Sequence, residues 1–202
     1  MEYFEYGKDE VEYLKSRDKV LGKAMDSVGH IDREIIPDLF EGIVYNIVGQ
    51  QISMKAARTV WGRFTNKFGK VTPETLYNQD VEDIQKLGVS FRKAGYIKEV
   101  SRQVCEKELV IDELYKLPDD EVVKRLVKLP GIGVWTCEML LIFSLNRMNV
   151  LSWQDLAIKR GIINLYGLDS LDKETFNELK ERYSPYASVA SLYLWEVAKN
   201  NG

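Results

Sequence analysis

The chain has 202 residues, 45% of them hydrophobic, with a formal net charge of −3, enough for one or two packed domains with a sizeable core. No apolar run approaches membrane-spanning length, and the opening stretch with Glu2, Glu5, Asp9 and Glu10 carries the wrong charge for a secretory or organelle leader. Cys105 and Cys137 form no metal-ligand spacing and His30 is the single histidine, so membrane spans, cysteine-held metals and most His-based catalysis are excluded and the expected compartment is the cytoplasm.

A pI near 5.4 argues mildly against nucleic acid as partner. Net charge is a poor guide where charge is segregated, however. Glu2, Glu5, Asp9, Glu10, Glu12 and Asp18 crowd the start of the chain, whereas the stretch from Gly42 to Lys70 holds no acid and carries Lys55, Arg58, Arg63, Lys67 and Lys70. The pattern allows a local positive face on an acidic protein.

In chain order, Phe40, Ile43, Val44, Ile47 and Val48 make one apolar stripe of a helix, with Gly49 as its stop. Ser53 caps the next, whose inner face is Ala56, Ala57, Val60, Trp61, Phe64 and Phe68, and Gly69 ends it. Pro73 starts a short helix. Leu87 to Ser90 is a turn, with Ser90 capping a helix through Ala94, Ile97, Val100 and Val104. Pro118, Asp119, Asp120 and Glu121 open another, with proline in the first turn and acids at the positive end of the dipole. Further helices are expected over about 134–146 and 153–166, the latter with Gly167 as C-cap, and from Ser184-Pro185 to Asn200. Only Val110-Ile111 and Asn149 to Leu151 suggest short extended pieces. The reading is all-α, roughly ten helices joined by short loops.

Three features carry chemistry. Leu129-Pro130-Gly131-Ile132-Gly133 joins an amphipathic helix to an almost wholly apolar one. Two glycines permit a tight turn and close backbone approach, and the free N–H groups of the following helix make an anion site suited to a DNA phosphate. An ordinary helix–turn–helix corner would look the same. Second, Ser152-Trp153-Gln154-Asp155 fits a capping-box variant, with Ser152 as N-cap and Asp155 at the third helical position. It also fits a carboxylate held where the dipole favours negative charge, able to stabilise an oxocarbenium-like transition state at a sugar C1′. Third, Trp135 and Trp195 are either core aromatics or flat walls for a flipped base, and an electron-rich ring also attracts a cationic ligand.

Together these residues resemble the helix-hairpin-helix DNA glycosylase superfamily, and most closely its alkylation-specific 3-methyladenine DNA glycosylase II branch. The likeness runs from about residue 35 to 198. It is carried by Phe40 to Ser53, by Gly88-Val89-Ser90 with Lys93-Ala94 and Tyr96-Ile97, by LPGIGVWT (Leu129 to Thr136), by VLSWQDLAIKRG (Val150 to Gly161), and by Pro185-Tyr186 with Ser188 to Ala190 and Tyr193 to Trp195.

The resemblance implies one glycosylase unit over 1–202. Its two helical subdomains, about 35–130 and 1–34 plus 131–202, carry a helix-hairpin-helix motif and a DNA-binding cleft between them. Asp155 falls on the catalytic aspartate, with Gln154 replacing the first acid of the usual pair and Ser152 the usual proline. Trp135 and Trp195 fall on base-pocket positions, and Met139 on one that is tyrosine in some members. Gly131, Gly133 and Ser53 are implied DNA contacts. Gln51 lies in the loop supplying the wedge that fills the gap left by the flipped base, with Ile52 and Ser53 as alternatives. Carbonyls of Val127, Leu129 and Ile132 match a hairpin site for Na+ or K+; no other cofactor is required. Lyase members carry a lysine two residues after the hairpin's final glycine, where this chain has Trp135, and the four-cysteine iron–sulfur motif is absent.

The implied function is a monofunctional DNA glycosylase of base excision repair, acting as a monomer on double-stranded DNA with alkylated purines. Its place is the cytoplasm, at the nucleoid in a prokaryote. A glycosylase for oxidised or mismatched bases and a non-catalytic DNA-binding module remain the alternatives. Base release separates all three.

Overall fold

A computed structural model describes residues 2–199. In chain order its elements are β1 (Glu2–Tyr3), α1 (Lys8–Arg17), α2 (Lys19–Val28), β2 (Glu34–Ile35), α3 (Leu39–Gly49), α4 (Met54–Phe68) and α5 (Pro73–Tyr77). There follow α6 (Val81–Gln85), α7 (Phe91–Cys105), α8 (Ile111–Leu114), α9 (Asp119–Leu126), α10 (Val134–Phe143), α11 (Leu156–Tyr166), α12 (Lys173–Tyr183) and α13 (Ala187–Lys199). The all-α reading stands. Asn200, the expected end of the last helix, lies outside the described residues.

Local chemistry explains most boundaries. Ser53 Oγ accepts the Ala56 N–H at 3.2 Å and Ser90 Oγ the Lys93 N–H at 3.3 Å, so both expected caps form. Gly69 and Gly167 end α4 and α11 with φ of 68° and 64°. Three expectations need correction. Pro118 is the N-cap of α9, outside its first turn. α10 ends at Phe143 and α11 begins only at Leu156, because Asp155 and not Ser152 caps it. The extended pieces foreseen at 110–111 and 149–151 form no strand; the one ladder among the described residues pairs Glu2 with Ile35 and Tyr3 with Glu34, antiparallel.

The chain divides into two compact units, Ile36–Leu140 and the described residues on either side of it. The expected boundary at 130/131 therefore falls ten residues later, at 140/141. The hairpin groups with the central segment because Gln50 Nε2 donates to the Gly131 carbonyl at 2.7 Å and Tyr96 packs against Gly131.

The central unit buries Phe40, Ile43, Val44 and Ile47 of α3, Phe64 of α4, Ile97 and Val100 of α7 and Leu126 of α9. At about 25 cal/mol per Å² of apolar surface, side chains of this size stabilise by roughly 1.5–3 kcal/mol each. The other unit is built on α13, whose Val189, Ala190 and Leu194 are fully buried beside Ile158 and Ile162 of α11. A methyl group at Gly161 would overlap the Leu194 carbonyl, so glycine is what lets α11 and α13 approach backbone to backbone.

Candidate active site

Asp155 is 6% exposed and serves as N-cap of α11. Its Oδ1 accepts the N–H groups of Ala157 at 2.8 Å and Ile158 at 2.9 Å. Its Oδ2 accepts the indole N–H of Trp195 at 3.3 Å. The segment leading to it is tied to α13: the Val150 N–H donates to Ser188 Oγ at 2.9 Å, and Ser191 Oγ donates to the Val150 carbonyl at 3.0 Å. Two predicted site residues, Asp155 and Trp195, are thus brought together by one hydrogen bond on elements that share a core.

Around the Trp195 indole stand two residues the sequence reading did not name. Phe143 lies tilted beside it with ring centroids 5.6 Å apart. The guanidinium carbon of Arg33 sits 5.0 Å from the Phe143 centroid and 6.0 Å from that of Trp195. An arginine 162 positions before its tryptophan leaves no local signal. Lys159, four residues after Asp155, holds its ammonium 4.8 Å from the Trp153 centroid, and Lys173 sits over the same ring at 4.4 Å.

The hairpin belongs to the central unit. Gly131 has φ of 78°, and a Cβ there would collide with the Tyr96 ring, so its glycine is demanded twice over. Gly133 differs from the expectation: its φ is ordinary and nothing lies within 4 Å of a Cβ built there. The space beside it, at the exposed start of α10, is open. Leu129's carbonyl accepts the Ile132 N–H at 3.2 Å. Trp135, on the first turn of α10, is 41% exposed, whereas Met139 is buried.

The loop between α3 and α4 carries the candidate wedge. Gln51 is exposed and has φ of 59°, an uncommon left-handed conformation for a side-chain-bearing residue. Gln50 and Lys93 hold the loop, and neither hold is visible in sequence. Besides the Gln50 bond to the hairpin, Lys93 Nζ donates to the carbonyls of Val48 at 2.8 Å and Gln50 at 2.6 Å. Burial pushes the Lys93 ammonium below its ordinary pKa. Close by in sequence, Lys55, Arg58, Arg63 and Lys67 on α4, with Lys70 after it, are all exposed, as the acid-free stretch suggested; Lys70 pairs with Asp38 at 3.2 Å.

Among the described residues no helix is long and apolar enough to cross a membrane, and no group of three His, Cys, Asp or Glu side chains is placed to hold a metal.

The family described as HhH-GPD superfamily base excision DNA repair protein matches residues 44–185. The Schizosaccharomyces pombe DNA-3-methyladenine glycosylase 1 is 32% identical over 165 residues, covering 79% of this chain and 72% of that protein. The chain spans only 60% of the length of a Bacillus subtilis relative, 34% identical over 173 residues. The crystal structure of a Bacillus halodurans DNA-3-methyladenine glycosidase superposes with a TM-score of 0.85 at 36% identity, over 98% of this chain and 93% of that one. A Schizosaccharomyces pombe 3-methyladenine DNA glycosylase in complex with abasic DNA superposes with a TM-score of 0.82 at 29% identity, over 95% and 97%.

Proposed function

We propose a reaction for this chain from one premise: it belongs to the HhH-GPD superfamily of base excision DNA repair proteins. It is a DNA glycosylase that hydrolyses the N-glycosidic bond of alkylated purines, of the 3-methyladenine and 7-methylguanine type, after the damaged nucleotide has been flipped out of the duplex. The observation that carries the reading is the Asp155 carboxylate, buried at the start of α11 and fixed by two backbone N–H groups and the Trp195 indole.

Alkylation at N3 or N7 puts positive charge on the base and weakens its bond to C1′, so no strong general acid is needed. The remaining task is to stabilise the cationic sugar and direct water to it. A rigid anion in a dry setting does this without reorganising, and such preorganised groups are commonly worth about 3 kcal/mol or more in the transition state. Asp155 takes that role. Trp195 is both the carboxylate's donor and an aromatic wall for the base, and Trp135 and Met139, in the central unit, keep the base-contact roles that the family resemblance gives them. An electron-rich ring favours a cationic base.

DNA is held through phosphate. The exposed N-terminus of α10 with Gly133 offers backbone N–H groups, supported by the basic residues of α4. The hairpin also suits a monovalent cation. Uncharged carbonyl oxygens match a hard, singly charged ion, and among the described residues the carbonyls of Val127 and Ile132 accept no hydrogen bond. Val127, Leu129 and Ile132 would hold it, and the bound Na+ or K+ would supply positive charge toward a DNA phosphate. Gln51 is the wedge, with Ser53 capping α4 behind it.

Chromatography of bases released from methylated DNA tests the function. Release of 3-methyladenine and 7-methylguanine is the expected result. Release of oxidised bases in their place would move the protein to another branch, and release of none would leave a binding module.

A further inference from the structure

The reaction above makes no use of the β1–β2 ribbon, yet the ribbon delivers a charged side chain to the site. The Arg33 carbonyl accepts the Phe4 N–H at 2.8 Å, and its neighbours Glu34 and Ile35 pair with β1, so the Arg33 backbone is held in place. From that anchor its guanidinium lies against Phe143 and Trp195, at 5.0 and 6.0 Å from their centroids. The same indole donates to Asp155 Oδ2 at 3.3 Å. One tryptophan therefore has a fixed anion at its N–H and a cation against its ring. Among the described residues Arg33 forms no ion pair. A guanidinium stacked on an aromatic keeps its N–H donors in its own plane, open to an acceptor.

We propose that Arg33 is a specificity-determining residue that sets the balance between neutral and cationic bases at the Trp195 face. The proposal rests on the reading of Trp195 as a base wall. When the C1′–N bond breaks, its electron pair goes to the base. A neutral purine leaves as an anion, which the Arg33 charge stabilises and whose acceptors its N–H groups can bind; water then adds to C1′ and the proton it gives up ends on the base. A cationic alkylpurine leaves neutral, and the proton lost by the water goes to solvent. Here Arg33 brings no help to the leaving group, and it repels the bound base and occupies aromatic surface the base needs. Arg33 thus favours neutral bases and opposes cationic ones.

Single-turnover excision should be measured on duplexes holding one 7-methylguanine, which is cationic, or one hypoxanthine, which is neutral. Arg33→Met is expected to raise the 7-methylguanine rate about tenfold and lower the hypoxanthine rate by a similar factor, since a unit charge at this range is worth that much at a protein surface. Arg33→Lys, keeping the charge, should retain the order of the parent. Changes of the same sign on both substrates would assign Arg33 to phosphate binding or to the ribbon and overturn the proposal, as would no change. Should the parent leave hypoxanthine untouched, the rise on 7-methylguanine alone decides. A parent that frees neither base overturns the glycosylase reading and this inference with it; a parent that frees them while Arg33→Met shifts nothing overturns this inference alone. Circular dichroism shows whether Arg33→Met folds, and Arg33→Gln carries the same test if it does not.

Discussion

Asp155 has two duties that an amide cannot fill together. Oδ1 takes the two backbone N–H groups of α11 and Oδ2 takes the Trp195 indole N–H. In Asp155→Asn one of these positions becomes NH2. If the amide oxygen keeps the cap, a donor faces the Trp195 donor; if it turns, the cap is lost. The variant is expected to fold with a loss of about 1 kcal/mol in stability. Base release should fall by at least ~100-fold, because the charge that stabilises the sugar cation is gone. Thermal melting with single-turnover kinetics checks both, and full activity would reduce Asp155 to a helix cap. The hairpin glycines separate in a similar way. A Cβ at Gly133 meets nothing within 4 Å, so Gly133→Val is expected to keep the fold while binding to any duplex weakens through loss of phosphate contact. Gly131→Ala pushes on the Tyr96 ring from a backbone at φ of 78°, and should destabilise the unit itself by about 1–3 kcal/mol. Unchanged affinity in a folded Gly133→Val protein would take the hairpin out of the interface.

Among elements, α11 and α13 matter together. The cap of α11 supplies the carboxylate and α13 supplies its indole partner, so their mutual register sets the distance between them. Gly161 governs that register through its close approach to the Leu194 carbonyl. Alanine has the better helix propensity by about 1 kcal/mol, yet Gly161→Ala should be net destabilising by about 1–3 kcal/mol, because backbone cannot yield as a side chain tip can. Chemical denaturation checks this, and a stabilised variant would show that the two helices have room to spare. The α3–α4 loop is the second element, proposed above to carry the wedge. Gln51→Ala is expected to slow excision from duplex several-fold more than from single strand, since only a duplex leaves a gap and an orphaned partner base to fill. Equal effects on both substrates would pass the wedge role to Ile52 or Ser53.

On the scale of the whole molecule, the proposed reaction is base release without strand cleavage. The position two residues after Gly133 is Trp135, whose indole cannot form an imine. Lys159, in the catalytic segment, lies with its ammonium over Trp153. Borohydride added during turnover should therefore trap no protein–DNA adduct, and product strands should stay intact until alkali is added. A covalent adduct that disappears on mutation of Lys159 would overturn this.

Features that depend on near neighbours are legible in the amino-acid sequence. The α3 stripe, the Ser53 and Ser90 caps, the Gly69 and Gly167 stops and the LPGIG turn follow from residues within one or two turns of each other, and all are present. Asp155 and Trp195 were each legible, as a carboxylate at a helix start and an aromatic in the last helix, but not as partners 40 residues apart. Even the Asp155 cap was displaced: Ser152 fits an N-cap by type, yet it is fully buried in a segment stitched to Ser188 and Ser191, so α11 starts three residues later than a Ser152 cap implies. Only the folded arrangement shows that Gln50 and Lys93 tie the α3–α4 loop, that Gly131 answers to Tyr96, that Gly161 answers to Leu194, and that Arg33 reaches the Trp195 ring. The physical reason is common to all four. Caps and stripes are local and repeat with the helical period, whereas these contacts join groups brought together only when separate helices bury their apolar faces, and nothing in the spacing of the residues encodes that meeting.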